Sequence, residues 1–508
     1  MRFGFVGPSY ASPSPLADAE ALINWRPQKV ESPNSRTPYL LLPTSGLLLF
    51  ANLGNFPTGV RGAYTTSGRT FFVAGTHLFE VGAGGVVIDY GGAGGNNNIF
   101  DDGLPATMVA GGTVGGTYPS QLLIASGGNL TVFSLLTNTF QALTTPPTQV
   151  LMVDFLDGFF IALEAGNTWS VSNPEDATTW PGISVTQVQV FSDQLLAIIA
   201  SNRLLWVFGQ KRAVAYYNSG APLFPFDVAS GGFVEVGILA QYSPARVATR
   251  AGTTVCFLGG DERGAGVVYA LNGFIEQRIS DSALEYWLAH QGVISDAVGW
   301  ASQEEGQNFY NLWFPTANTT WVLDVDLGWW HQRSSLVGGR SAAHLARCHT
   351  YNFAQHLVGD RNSGNVYSMS SSNLTDNGLA IIRTRVGPTI SNESGQLPVA
   401  INEFQVDFEM GMGPEPPLKD NAGNPRDPYA MFSYSEDYGK TWTPERMIPC
   451  GQAGQFKKVA IDRRLGSWRS WTPKVTVSDP VLWRVVDAYT NSTQDSQQRW
   501  AKKIAAVS

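Results

Sequence analysis

Seven closely spaced His, Cys and Asp residues are candidates for metal or acid–base chemistry, and their spacing limits what they can do. His344, Cys348 and His349 form the densest His/Cys cluster of the sequence. Zinc takes four such ligands, and no second Cys/His pair stands at the usual interval. In a strand, moreover, neighbouring side chains alternate between faces, so the three read as core or surface residues. Asp154 with Asp157, and Asp324 with Asp326, are paired carboxylates. Two carboxyls flanking a glycosidic bond can hydrolyse it. Aspartate is also a standard turn residue, because it hydrogen-bonds its own backbone, and these four sit where turns are expected. Phosphate-loop, nucleophile-elbow and zincin motifs are missing from the sequence. The expectation is no catalytic residue, no cofactor and no metal.

Ser435, Asp437, Gly439, Thr441 and Trp442 fit the Asp-box pattern S-x-D-x-G-x-T-W at every defined position. In such a hairpin turn the carboxylate accepts backbone N–H groups, glycine takes positive φ and tryptophan packs beneath. Asp-boxes recur in sialidases, away from the catalytic centre. A sialidase also needs clustered arginines and a Tyr/Glu nucleophile pair. Arg383, Arg385, Arg463 and Arg464 are available, but no spacing singles out a triad. The box therefore reads as a folding device. One segment, from Lys457 to Trp471, is both basic and aromatic. Its Arg463, Arg464, Trp468, Arg469 and Trp471 are candidates for contact with DNA or for a subunit interface, where Arg and Trp are enriched. The interface is the preferred reading.

The elements that position these residues are strands. Of 508 residues 43% are hydrophobic and only 15% charged, below the usual quarter. Glycine, at 54, and aromatics, at 12%, are both high, the texture of an all-β chain. A net charge of -8 argues against a dedicated nucleic-acid binder, though not against a wall along which DNA slides. Cys256, Cys348 and Cys450 are too few and too far apart for a disulfide framework, which fits a reducing compartment. Neither a secretory leader nor a membrane-spanning apolar run is visible, so a soluble chain made inside a cell is expected.

One pattern recurs: an apolar strand, a turn, and a second strand ending near an aromatic. It starts at Thr70, Gln121, Gly158, Leu195, Thr254, Asn308 and His356, at intervals of roughly 36 to 60 residues, the range of propeller blades. A lone hairpin cannot cover an apolar strand on both faces, whereas blades stacked around an axis can. Six or seven blades are expected, with a sandwich or solenoid as the alternative. Two helices are expected, one opening at Ser14 and Pro15 and one capped by Ser282 with Glu285. After about Asn373 the texture changes. The expected organisation is an N-terminal arm and ring-forming segment (1–45), a β-propeller (46–375), a C-terminal β domain (376–490) and a polar tail (491–508).

Short motifs along nearly the whole chain resemble the packaged-DNA stabilisation, or tail-hub, proteins of podoviruses. Leu22, Asn24, Trp25 and Glu31, followed by Pro43 and Gly46, are similar to that family's opening. Phe208 and Gly209 with Tyr216, Tyr217 and Gly220 resemble a blade strand of the family. Tyr269 and Gly273, leading through Ser280 to Leu288, are similar too, as are Arg446 with Ile448 and Arg463 with Gly466. The Asp-box and the polar C-terminal extension depart from the pattern. The resemblance implies a structural, non-enzymatic hub or nozzle in the virion tail, made in the host bacterial cytoplasm. It implies a homohexamer below the portal-adaptor protein, continuing the channel for packaged double-stranded DNA without reading its sequence. Tail fibre or needle proteins would be further partners, and some acidic turns would face the lumen. A carbohydrate- or receptor-binding propeller and a sialidase-type glycosidase are the alternative readings.

Overall fold

The apolar runs do become strands buried on both faces: in Gln121–Ser126 every side chain is out of solvent, and in Arg69–Ala74 all but the first. Burial on both faces requires protein on each side. In the computed structural model, which describes residues 3–94, 98–182, 185–187, 193–222, 224–260, 264–392 and 397–492, seven sheets supply it. Blades one to six span residues 60–89, 107–141, 150–187, 195–234, 245–278 and 298–337. Blade seven is built from residues 346–370 and Gly46–Asn52. Inner strands pack blade against blade, and Ala346–Asn352 of blade seven packs on Val60–Thr66 of blade one, so the circle closes.

The count is seven, the larger of the two expected. Six of the recurring hairpins are the second and third strands of their blades. The hairpin from Leu195 to Gly209 is instead the first and second strands of blade four, and this offset explains the uneven spacing. Closure rests on Gly46–Asn52, antiparallel to Asn365–Ser370, with Gly46 opposite Ser370 and Asn52 opposite Asn365.

One further sheet and an extension of blade six's sheet form a sandwich. One contains Trp25–Lys29, Tyr39–Pro43, Val485–Ser492, Val399–Phe408 and Ala460–Trp468, in that order. The other runs Ala19–Ile23, Arg383–Val386, Ser470–Val477, Tyr429–Ser435 and Arg446–Pro449. Phe5, Trp25, Phe404, Phe432 and Trp471 fill the space between, all fully buried. The segment expected to be an arm thus supplies strands to both sheets. Apart from its first two residues, the polar tail lies outside the described residues.

The helix expected after Ser14 is absent. Ala19–Ile23 is a strand whose Leu22 pairs with Arg385, cross-strand partners outweighing the modest helix propensity of Ala and Glu. Ser282–Ala289 is helical, but its cap is Asp281, whose carboxylate accepts the Leu284 N–H at 2.8 Å. Glu285 turns instead to Arg278 and Ser280. No helix among the described residues is long and apolar enough to cross a membrane.

Propeller and sandwich share a sheet. The last long strand of blade six, Trp329–Val337, takes Ala19–Ile23 as a parallel neighbour, Ile23 opposite Gln332. Asn24 sits on this seam in the left-handed region (φ 58°), which asparagine tolerates better than most residues. Its side-chain N–H groups donate to the carbonyl of Ser334 at 3.0 Å and of Ile382 at 2.7 Å, and its Oδ1 accepts the Ser334 N–H at 2.8 Å. One buried amide therefore fastens a blade strand to the residue that leads into Arg383–Val386.

Candidate functional site

Arg446–Pro449 ends the sheet that blade six begins, and Ala460–Trp468 is an edge strand of the other sandwich sheet. An ion pair between Arg446 and Asp462, 3.0 Å, ties these two edges together. Around them stand exposed Lys457, Arg463, Arg464 and Arg469. Among the cations lie Phe456, 70% exposed, Met447, 63%, and Val459. Basic and apolar groups are thus mixed on an open strand edge.

Two of the five candidates in this segment need separate treatment. Trp468 is half-buried and donates its indole N–H to the carbonyl of Leu465 at 2.6 Å. Trp471 is wholly buried against Phe404, Phe432 and Tyr434, so it touches neither DNA nor a partner. The chain crosses from one sheet to the other between Trp468 and Ser470, which leaves Trp468 at the margin and Trp471 at the centre of the same core. Arg463, Arg464 and Arg469 remain on the open edge.

The Asp-box forms a self-contained turn. Asp437 accepts the Thr441 N–H at 2.8 Å, the Thr441 hydroxyl at 2.7 Å and the Ser435 hydroxyl at 2.7 Å. Those donors, the Thr441 N–H first, hold its carboxyl down at about 2. Gly439 takes φ 88° and donates its N–H to the Ser435 hydroxyl at 2.7 Å. Trp442 is half-buried beneath the Lys474 ammonium, 4.4 Å from the ring centre. The carboxylate is committed to the turn. The four arginines weighed as a substrate clamp are dispersed: Arg383 and Arg385 are buried, Arg385 on the carbonyls of Phe5 and Pro8, while Arg463 and Arg464 lie on the outer edge.

The paired aspartates belong to blades three and six. Asp154 is bound by Arg246 and by the Ala200 N–H, and Asp157 occupies a turn at positive φ. Asp324 is buried, accepts the N–H groups of Asp326 and Leu327, both at 3.1 Å, and is pushed up to about 6 by burial. All four hold turns or neighbouring blades. His344 is buried and burial holds it well below its ordinary range. His349 instead meets His356, Nε2 to Nδ1 at 3.0 Å. Among the described residues no three His, Cys, Asp or Glu come together as a metal-ligand set.

Sequence reading missed two sites. His356 lies opposite Tyr351 in blade seven, and only strand register brings it to His349. Glu304 and Arg333 form a buried ion pair at 3.1 Å, with Ser45 closing it from the start of the propeller. Burial pushes the Glu304 carboxyl up, but Arg333, Ser45 and Arg26 override it and hold it at about 2. The adjacent Glu304 and Glu305 show in the sequence only as a polar turn.

A closed seven-bladed propeller continuous with a two-sheet sandwich, its carboxylates tied into turns, defines an all-β scaffold protein. The family model described as the β-propeller of bacteriophage P22 Gp10 matches residues 37–373, and that of the P22 Gp10 β-sandwich matches residues 383–483. The chain belongs to this family, the DNA-stabilisation and tail-hub proteins of podoviruses, as its motifs suggested. It is a phage structural protein that assembles with other virion proteins. No curated protein matches the chain. Solved structures similar to it include the computationally designed Ika8 protein, at 11% identity and a TM-score of 0.36 over 64% of this chain and 99% of that one. Another is the mitotic checkpoint complex, at 10% and 0.39 over 68% and 97%. At these scores neither likeness bears on the fold or the function.

Proposed function

We propose that the chain is a tail hub or nozzle subunit of a short-tailed phage. Copies form a ring, sixfold, below the portal-adaptor protein, extend the DNA channel, retain the packaged genome and dock tail fibres or a needle. The family match across both halves of the chain carries this reading. The seam at Asn24 supports it, because a subunit under the pressure of packaged DNA needs its two halves held as one piece. An overall charge of -8 suits a channel that DNA passes without sticking, with some acidic turns facing the lumen. Catalysis has no part in this function.

The test is negative-stain electron microscopy of the chain mixed with neck-stage particles of its own phage. Sixfold rings or tubes capping the neck are expected. Free propellers that never join the particle, or trimers carried on fibres, would overturn the reading in favour of receptor recognition.

A further inference from the structure

A cavity of about 660 Å³ lies among the innermost strands of blades five, six and seven, Ala245–Thr249, Val298–Glu304 and Ala346–Asn352. It takes alternate residues from each: Arg246 and Ala248, Ala301 and Gln303, His349 and Tyr351. Alternate residues of a strand share a face, so the three strands turn like faces towards one space near the propeller axis. Glu305, in the first turn of blade six, and His356, on the second strand of blade seven, complete the lining used here.

The charges of this cavity are already spent. Arg246 reaches past blade four to Asp154 of blade three, and Glu305 is paired with Arg26. Burial holds His349 at about 4 and His356 below its ordinary range, so both imidazoles are neutral at neutral pH. Among the described residues no third ligand of metal-binding type joins them. A phosphate finds no free cation here, and a metal ion finds too few ligands.

What is left over is neutral and polar. His349 Nε2 lies 3.0 Å from His356 Nδ1, and the His349 ring also hydrogen-bonds the Ala301 backbone. The neutral His349 spends its one N–H on that carbonyl, so His356 donates from Nδ1. Its own Nε2 is then an acceptor with no protein partner. The exposed Gln303 carboxamide and the Tyr351 hydroxyl also make no hydrogen bond to the described residues. Free donors and acceptors mixed in this way match hydroxyl groups, which act as both.

A stack of rings stands beside them. Trp300, His349 and His356 follow one another with centres 5.5 and 5.2 Å apart, and Tyr351 packs on His356 at 4.9 Å. Trp300 is buried, whereas Tyr351 is 56% exposed, so the stack roots an open ring in the blade. The electron-rich face of such a ring suits the C–H side of a pyranose. A second cavity of about 410 Å³ shares Glu305 and His356 with the first and is lined by Gln355, Ser370, Ser371 and Asn373. Together the two hold more than one sugar ring among amides and hydroxyls.

We propose that this pocket of blades five to seven binds a neutral glycan, with Tyr351 under a pyranose ring and the Gln303 carboxamide and His356 Nε2 on its hydroxyls. The site gives the propeller a binding activity of its own, which does not depend on assembly into a hexamer.

The test applies the full, unassembled chain to an array of neutral and acidic bacterial surface glycans, with melting curves to establish that each variant is folded. Binding to neutral glycans is expected. Tyr351→Ala should lower it at least about tenfold, and Gln303→Ala about threefold or more. Tyr351→Phe keeps the ring and should stay within about threefold of the unaltered chain. Arg463→Ala, on the sandwich edge, should leave binding unchanged. Gln303→Ala decides the case if Tyr351→Ala misfolds, because its side chain is exposed. A chain that binds no glycan, or only acidic ones, or that keeps full binding in both truncations, overturns the assignment. Binding of oligo-dT that is lost in Tyr351→Ala, while no glycan binds, overturns it in favour of a nucleobase. Any of these results leaves the tail-hub reading standing, since that reading falls only if the chain fails to join the neck.

Discussion

Each of blades one to six is cut from one continuous stretch of chain, whereas each sheet of the sandwich is woven from both halves of the sequence. Charge divides along the same line. Residues 46–375 carry 13 lysines and arginines against 23 aspartates and glutamates, and the rest of the chain 20 against 18. A blade covers its apolar strands with the next blade, so the propeller leaves only short edges bare. The sandwich covers its core with two sheets and ends in two open strands. The closed part of the molecule is thus suited to rigidity and the open part to attachment.

Substitutions in the two cores test how independent these parts are. Trp471→Ala empties the centre of the sandwich and is expected to cost about 3–5 kcal/mol, measured by urea unfolding. Hydrogen exchange tells whether the loss stays in the sandwich or crosses the shared sheet into blade six. Glu304→Ala strands the Arg333 guanidinium inside blade six and is expected to cost about 3–5 kcal/mol, with faster exchange spreading to blade seven through Ser45.

Asn24→Ala removes the amide at the seam and leaves the Ser334 N–H and the Ile382 carbonyl without it. About 2–3 kcal/mol is expected, and calorimetry should show one transition splitting into two. A single unsplit transition would mean that the shared strands alone couple the halves.

Two carboxyls of blade six give opposite pH dependences. Glu304 lies below its ordinary 4.5, at about 2, so its contribution is present above pH 4.5 and lost as pH falls towards 2. Asp324 lies above its ordinary 3.8, at about 6, so its contribution is full below about pH 4 and lost as pH rises through 6. Melting temperatures of Glu304→Gln and Asp324→Asn across that range should each lose one slope. The smallest effect is expected for Arg463→Ala, below about 1 kcal/mol on stability because its partner Glu403 is at the surface. That residue should matter to assembly and hardly at all to folding.

What was legible in the sequence follows from the same contrast. Blade hairpins showed because their two strands are neighbours in the chain, as at Gln121–Ser126 and Asn129–Ser134. The number of blades stayed open because one hairpin is offset by a strand and because Gly46–Asn52 pairs with residues far along the chain. The strand Ala19–Ile23 looked helical because its partner, Arg383–Val386, is equally remote. The Asp-box turn was readable because five nearby residues define it. Trp471 misled because its burial depends on a change of sheet that no local pattern announces. The basic edge showed as composition, while its position at the sheet edges depends on pairings remote in sequence.

The strand Gly46–Asn52 also sets the order in which the molecule can be made. It leaves the ribosome early and must wait for Asn365–Ser370, roughly 300 residues later, which at bacterial or slower rates of synthesis is about 15–60 s. The sandwich waits longer still, because Val485–Ser492 lies between Tyr39–Pro43 and Val399–Phe408. A chain interrupted before Asn365 closes neither body, one interrupted between Ser370 and Val485 closes the propeller alone, and both keep apolar edges open to proteases. Prematurely terminated copies are therefore expected to be degraded before they can assemble.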